Sequence, residues 1–188
     1  MERGFTQPRK YEEYAYVLDF VERGKSSTVR GREGIMVTGI GEDRLTLLEI
    51  LGVPDSSFEV GERIYIGKEG RTKVLSVLGK MVYQKISSTA QNELEGVVEI
   101  IVNQNEKKFI DYINNCQPLT PRIHALELIP GIGKTYMKLM LEEREKKKFE
   151  SFEDLQNRVG LKEPMKQICK RILEEITGDT RMNLFVKR

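Results

Sequence analysis

The sequence has no tryptophan, one histidine, two cysteines and six prolines in 188 residues. Each shortage excludes something. His124 is the only imidazole, so no Ser/His/Asp or Cys/His constellation can be built without it. It precedes Leu126 and Leu128 and reads as a packing residue rather than a catalyst. Cys116 and Cys169 lie far apart in different helical segments, so a disulfide framework is not expected. Two thiols and one imidazole fall short of a four-ligand zinc site. Both cysteines read as small buried hydrophobes. No apolar run approaches twenty residues, so no membrane span is expected. The opening Met1-Glu2-Arg3-Gly4-Phe5-Thr6 lacks the apolar stretch of a signal peptide, which makes the cytoplasm the expected compartment.

Charge is abundant but balanced: 31 basic and 29 acidic residues, a net charge of +2. It interleaves with regular apolar positions, which argues for folded structure rather than disorder. Its distribution is uneven. Residues 1–90 carry 14 basic against 13 acidic residues, residues 91–118 carry 2 against 5, and residues 119–188 carry 15 against 11. The C-terminal part is thus the basic one. The acids form no metal-site spacing, and Glu93, Glu95 and Glu99 read as a solvated helix face. The expectation is a protein that is not an enzyme, with no metal, no cofactor and no catalytic residue.

The periodicity divides the chain into three parts. Residues 1–90 alternate at period two in short stretches: Tyr14 to Phe20, Gly34 to Gly39, Arg44 to Ile50, Arg63 to Ile66, and Val74 to Ile86 with an interruption at Gly79. Gly-, Asp-, Ser- and Pro-rich spacers separate them. Five short strands at this spacing predict a small barrel or sandwich. Residues 91–118 switch to helical period, with a buried stripe through Leu94, Val97, Val98, Ile101, Val102, Phe109, Ile110 and Ile113, and a kink marked by Asn103-Gln104-Asn105. The residue before Pro118 avoids helical geometry, so this connecting helix ends there. Residues 119–188 read as four helices: Thr120 to Leu128, Lys134 to Lys147, one capped by Ser151-Phe152-Glu153-Asp154, and Pro164 to Ile176. Leu184 to Val186 suit a packed tail, part of it as a strand. The fold class expected is α+β.

The chemistry centres on Pro130-Gly131-Ile132-Gly133-Lys134. Two glycines let the chain reverse with positive φ and let a ligand approach the backbone. The next helix begins at once, so its first amides lack internal partners and carry the positive end of the helix dipole. Gly131, Ile132 and Gly133 would hold a phosphate on their amides, with Lys134 and Lys138 adding charge from one helix face. Such a clamp is blind to base sequence and sensitive to salt. A turn of this type also serves purely structural ends, so a protein–protein interaction module is the rival reading. The steep salt dependence of phosphate binding separates the two. Gly133-Lys134-Thr135 also evokes a P-loop, but Leu128 stands where its first glycine belongs and a helix is expected before it, so no nucleotide cofactor is expected. A degenerate second copy lies 29 residues on: Gly160 matches Gly131, Leu161 matches Ile132, and Lys162 replaces Gly133. Further possible backbone contacts are Lys162 and Lys166, with Lys170 and Arg171 extending their face, and the basic loop Arg23, Lys25, Arg30 and Arg32. Tyr14, Tyr16, Tyr65 and Tyr83 are candidates for base stacking, at least half of them expected in the core.

Leu126 through Lys134 resembles the helix-hairpin-helix signature of DNA-repair and recombination proteins. Paired with Phe149 through Leu155, it resembles the doubled form known as the RuvA domain 2-like fold. Nearly the whole chain is similar to an archaeal family of unknown function, usually described as predicted RNA-binding. That similarity rests on Tyr14 to Asp19, Gly41 to Asp43, Val60 to Gly67, Gln117 to Thr120 and the hairpin region. The resemblance implies an OB-like barrel over 1–90 and a doubled helix-hairpin-helix over 119–188. It favours RNA over DNA as partner. A DNA-binding factor in repair or recombination is the alternative within the same chemistry.

Overall fold

The computed structural model describes residues 11–22, 31–178 and 180–188. It is a mixed α+β protein with two compact units. One runs to Leu94 and includes Lys187 and Arg188; the other spans Glu95–Val186.

The first unit is a curled antiparallel sheet of five strands: β1 (Tyr14–Glu22), β2 (Ile35–Gly41), β3 (Leu47–Gly52), β4 (Arg63–Tyr65) and β5 (Val74–Lys80). Their order is β4-β1-β2-β3-β5. Alternation sends Ala15, Val17, Ile35, Val37, Leu48, Ile50, Ile64 and Val74 into one core with Phe58 and Ile66. β1 pairs with β4 through Tyr14–Tyr16 and with β2 along its length, where the register slips by one residue between Val17 and Asp19. The strands match the expected positions, except that Val82 to Ile86 leave the sheet and form a 3-10 turn at Tyr83–Lys85.

The edges β4 and β5 are joined by side chains instead of a backbone ladder. The Arg71 guanidinium donates to the carbonyls of Gly67 (2.6 Å), Ile66 (3.0 Å) and Leu75 (3.2 Å). Lys73 pairs with Glu62 beside it. An unpaired edge is a template for aggregation, and these contacts occupy part of it.

Helix α1 (Ser88–Gln104) crosses from one unit to the other, and α2 (Glu106–Asn115) follows after a break at Asn105. The helix expected from Thr120 to Leu128 is absent. Pro118–Thr120 (β6) and Ile123–His124 (β7) form a small hairpin, followed by a 3-10 turn at Ala125–Leu128. The Thr120 hydroxyl accepts the amides of Arg122 and Ile123, closing a turn rather than capping a helix. Pro118 and Pro121 hold the residues before them extended. Then come α3 (Lys134–Lys146), α4 (Phe152–Val159) and α5 (Pro164–Thr177).

Polar side chains stitch these helices together. Asn114 exchanges two hydrogen bonds with the Phe149 backbone, at 2.8 and 2.9 Å. Arg144 donates to the carbonyls of Ile113 and Cys116 at the end of α2. Arg158 does the same for Glu143 and Lys147 at the end of α3. Ser151 caps α4 through the Asp154 amide (3.0 Å), as its sequence pattern predicts. Cys116 and Cys169 are buried free thiols, and burial pushes the Cys169 thiol up to about 12.

The tail forms no strand. One oxygen of Glu175 accepts the amides of Leu184 (2.7 Å), Phe185 (2.9 Å) and Val186 (3.1 Å). The other meets Arg171 Nε at 3.2 Å, in a pair that is almost fully buried. Arg171 therefore faces inward and does not extend a basic surface. Phe185 packs edge-on against Phe109. Replacing Glu175 by Ala takes the buried carboxylate from Arg171, leaving it the more exposed Glu174, and frees three amides. The expected loss is about 3–5 kcal/mol in urea unfolding, together with early proteolysis after Thr177.

Candidate nucleic-acid interface

The segment between the 3-10 turn and α3 is a tight hairpin. His124 Nδ1 accepts the Leu126 amide at 3.1 Å and so caps the turn that leads in. Ile129 then donates to Leu126 O, and Ile132 to Ile129 O at 3.1 Å. Gly131 has φ +81°, the left-handed region. A Cβ there would also lie 3.0 Å from the Gln167 side chain of α5. The fold alone therefore favours glycine at 131. Ile132 is 4% exposed and pins the hairpin to the core.

Gly133 differs. Its backbone is ordinary, with φ −84° and ψ −176°, and a Cβ would meet nothing within 4 Å. It is the N-cap of α3 and supplies no side-chain cap. The first internal helix bond is Met137 N–H to Gly133 O. The amides of Gly133, Lys134, Thr135 and Tyr136 find no acceptor among the described residues. These four residues are exposed, as is Lys138 one turn along. Four donors and two ammonium groups therefore share the head of one helix, with no acid in its first turn.

Two expectations need correction. The Ile132 amide is already bonded to Ile129 O and leaves the donor set, while further open amides continue from Gly133 into α3. The recess under the hairpin also carries two carboxylates, Glu127 and Glu174. Glu174 sits 3.6 Å from Arg171 Nη1, which offsets part of its charge. Sequence spacing could not reveal Glu174, because it reaches the recess from α5, more than forty residues away.

The second hairpin repeats the geometry without the donors. Gly160 has φ +79° and Leu161 is 4% exposed, matching Gly131 and Ile132. Glu163 takes the N-cap at φ +48°, and Pro164 has no amide hydrogen to offer. Lys162 and Lys166 are exposed, but Lys166 is paired with Glu163 at 3.0 Å. Lys170 is exposed. In the first unit Arg32 is exposed, while Arg23, Lys25 and Arg30 lie outside the described residues. Of the stacking candidates, Tyr16 is 1% exposed and Tyr14 lies under the Arg63 guanidinium at 3.5 Å, so neither offers an open face. Tyr65 and Tyr83 are half-buried. Among the described residues no three His, Cys, Asp or Glu side chains converge to hold a metal, and no helix is long and apolar enough to cross a membrane.

The family described as Protein of unknown function (DUF655) matches residues 11–187. The uncharacterized protein MJ0038 of Methanocaldococcus jannaschii is 42% identical over 183 residues, covering 96% of this chain and 82% of that protein. The crystal structure of Af1531 from Archaeoglobus fulgidus, a DUF655 protein, superimposes with a TM-score of 0.81 at 39% identity, covering 94% of this chain and all of that one.

The imidazole that supports the hairpin gives a pH test. Burial, then the neighbouring Arg144 charge, hold His124 below its ordinary value of 6.5. Between its folded pKa and 6.5 the unfolded chain binds more protons than the folded one. Its contribution to stability is complete above 6.5 and is lost as pH falls through that window, by at most about 1.4 kcal/mol per pH unit. Proton NMR of the single imidazole should give a midpoint below 6.5. His124→Asn should flatten the stability profile there.

Proposed function

The chain belongs to the DUF655 family, and from that premise we propose that it is a non-catalytic nucleic-acid-binding protein that grips a phosphate at the head of α3. The ligands are the amides of Gly133, Lys134 and Thr135, with the Lys134 and Lys138 ammonium groups beside them. The observation that carries this reading is Gly133. Gly131 is accounted for by the fold: its φ strains any side chain, and a Cβ would press on Gln167. Gly133 has neither excuse: its backbone suits any residue and the space above it is empty. Serine or aspartate there would cap the helix from within. Glycine leaves the donors for an acceptor from outside, and a phosphate oxygen is the acceptor that the dipole and the lysines favour.

The two hairpins, each with a left-handed glycine followed by a buried aliphatic residue, support reading 119–188 as a doubled helix-hairpin-helix whose first helix is reduced to the 3-10 turn and whose second copy is structural. The strand order β4-β1-β2-β3-β5 supports an OB-like barrel left open between β4 and β5. RNA is the favoured partner and the cytoplasm the expected compartment. Amides and lysines on a phosphate read neither base nor sugar, so DNA of similar shape is bound by the same contacts.

Glu127 and Glu174 moderate the clamp and give it an electrostatic signature. In fluorescence anisotropy, Lys134→Glu should weaken RNA and DNA alike and reduce the salt slope by about 1. Glu127→Gln should tighten both. Gly133→Asp should weaken binding roughly ten-fold or more while the thermal midpoint stays level or rises, because the new carboxylate takes the amides itself. Unchanged affinity in Gly133→Asp and Lys134→Glu, with native circular dichroism, would remove the clamp and leave the hairpin as a structural turn or a protein contact.

A further inference from the structure

The curled sheet encloses a cleft of about 610 Å³, within the range of small-molecule sites and unconnected with the hairpin reading. Its apolar wall is Leu48, Ile66 and Val77, carried on β3, the end of β4 and β5. These residues lie around the gap where β4 and β5 fail to pair. Arg71 lines the cleft and spends its guanidinium on three backbone carbonyls, so it fixes the wall instead of reaching for a ligand. The site is therefore held in shape before anything enters it.

Two aromatic rings border the space. Tyr65 lies across Gly67, where any Cβ would collide with the ring, so a glycine is what permits that ring position. Tyr11 is 62% exposed, with the Lys68 ammonium 5.1 Å from its ring centroid. Arg44 and Lys80 add two further cations. Of the three acids present, Glu12 is committed to the amides of Asp43 and Arg44, at 2.8 and 2.6 Å. Glu13 and Glu69 add two further carboxylates to the lining. A preformed apolar slot with aromatic faces, cations at its rim and a few acceptors matches a flat heteroaromatic ring that carries an anionic group.

We propose that this cleft binds one nucleoside monophosphate unit, with its base against the rings of Tyr11 and Tyr65 and its phosphate among Lys68, Lys80 and Arg44. The unit arrives either as a free nucleotide or as the 5′-phosphorylated end of a strand. Stacking a base on an exposed ring is sequence-tolerant, so purines and pyrimidines both enter.

The test is calorimetric titration of the full chain with adenosine and uridine 5′-monophosphates, and with an oligonucleotide bearing or lacking a 5′ phosphate. Tyr11→Ala and Lys68→Glu change exposed positions and should spare the fold. Each should weaken binding roughly ten-fold, the loss of about 1.4 kcal/mol expected of one stacking or charge contact. Lys134→Glu, in the other unit, should leave mononucleotide binding unchanged even if it abolishes backbone binding. Saturable mononucleotide binding with this pattern supports the proposal with a free nucleotide as source. Binding only of the 5′-phosphorylated oligonucleotide, with the same sensitivity to Tyr11→Ala and Lys68→Glu, supports it with a strand end as source. No binding of either ligand at millimolar concentration overturns it, as does binding that ignores both cleft variants or falls only in Lys134→Glu.

Discussion

Backbone amides must have acceptors, and the head of α3 is where this chain withholds them. Elsewhere in the second unit side chains close several backbone ends. Arg144 and Arg158 close the ends of α2 and α3, Ser151 closes the start of α4, and Asn114 serves the loop at Phe149 from both its amide atoms. No buried side-chain polar atom among the described residues lacks a partner. Against that background the open donors of Gly133 to Tyr136 stand out. They exist because Gly131 reverses the chain in a conformation that other residues resist, and because Ile132 anchors the reversal to the core. Move either residue and the helix no longer starts in the open.

The two units solve the same problem, keeping an incomplete element stable, by different means. The sheet stops short of closing, and a planar guanidinium does the work of a missing strand pairing. Arg71 can do this because its donors lie in one plane with fixed directions, and three carbonyls lie within their reach. A lysine has no such geometry. The helical unit relies instead on repetition: two hairpins with the same glycine and the same buried aliphatic residue, of which one has kept its free amides and the other has filled the position with Glu163 and Pro164.

Much of this was legible in the sequence. The five strands follow from period-two alternation between glycine-rich spacers, and α1 and α2 from the stripe running from Leu94 to Ile113. The hairpin's two roles, a left-handed glycine and an inward isoleucine, follow from Pro130 to Lys134 alone. Local signals misled where tertiary bonds decided. Thr120-Pro121 has the letters of a helix start, yet the Thr120 hydroxyl turns to Arg122 and Ile123 and the chain stays extended. Arg171 sits among lysines on α5, but a buried carboxylate one turn away draws it inward. Glu174 beneath the hairpin, and the cleft between β4 and β5, depend on which distant segments meet, and no spacing rule encodes that.

The Glu175 carboxylate holds Leu184, Phe185 and Val186 by a single oxygen while its other oxygen faces Arg171. Burial of that ion pair therefore depends on the tail as well as on α5. Without the tail, a helix that has to bury an ion pair lacks the amides that make its burial tolerable. The packing of α5 and of Phe109 against Phe185 is thereby made contingent on those three residues, although none of them belongs to a helix.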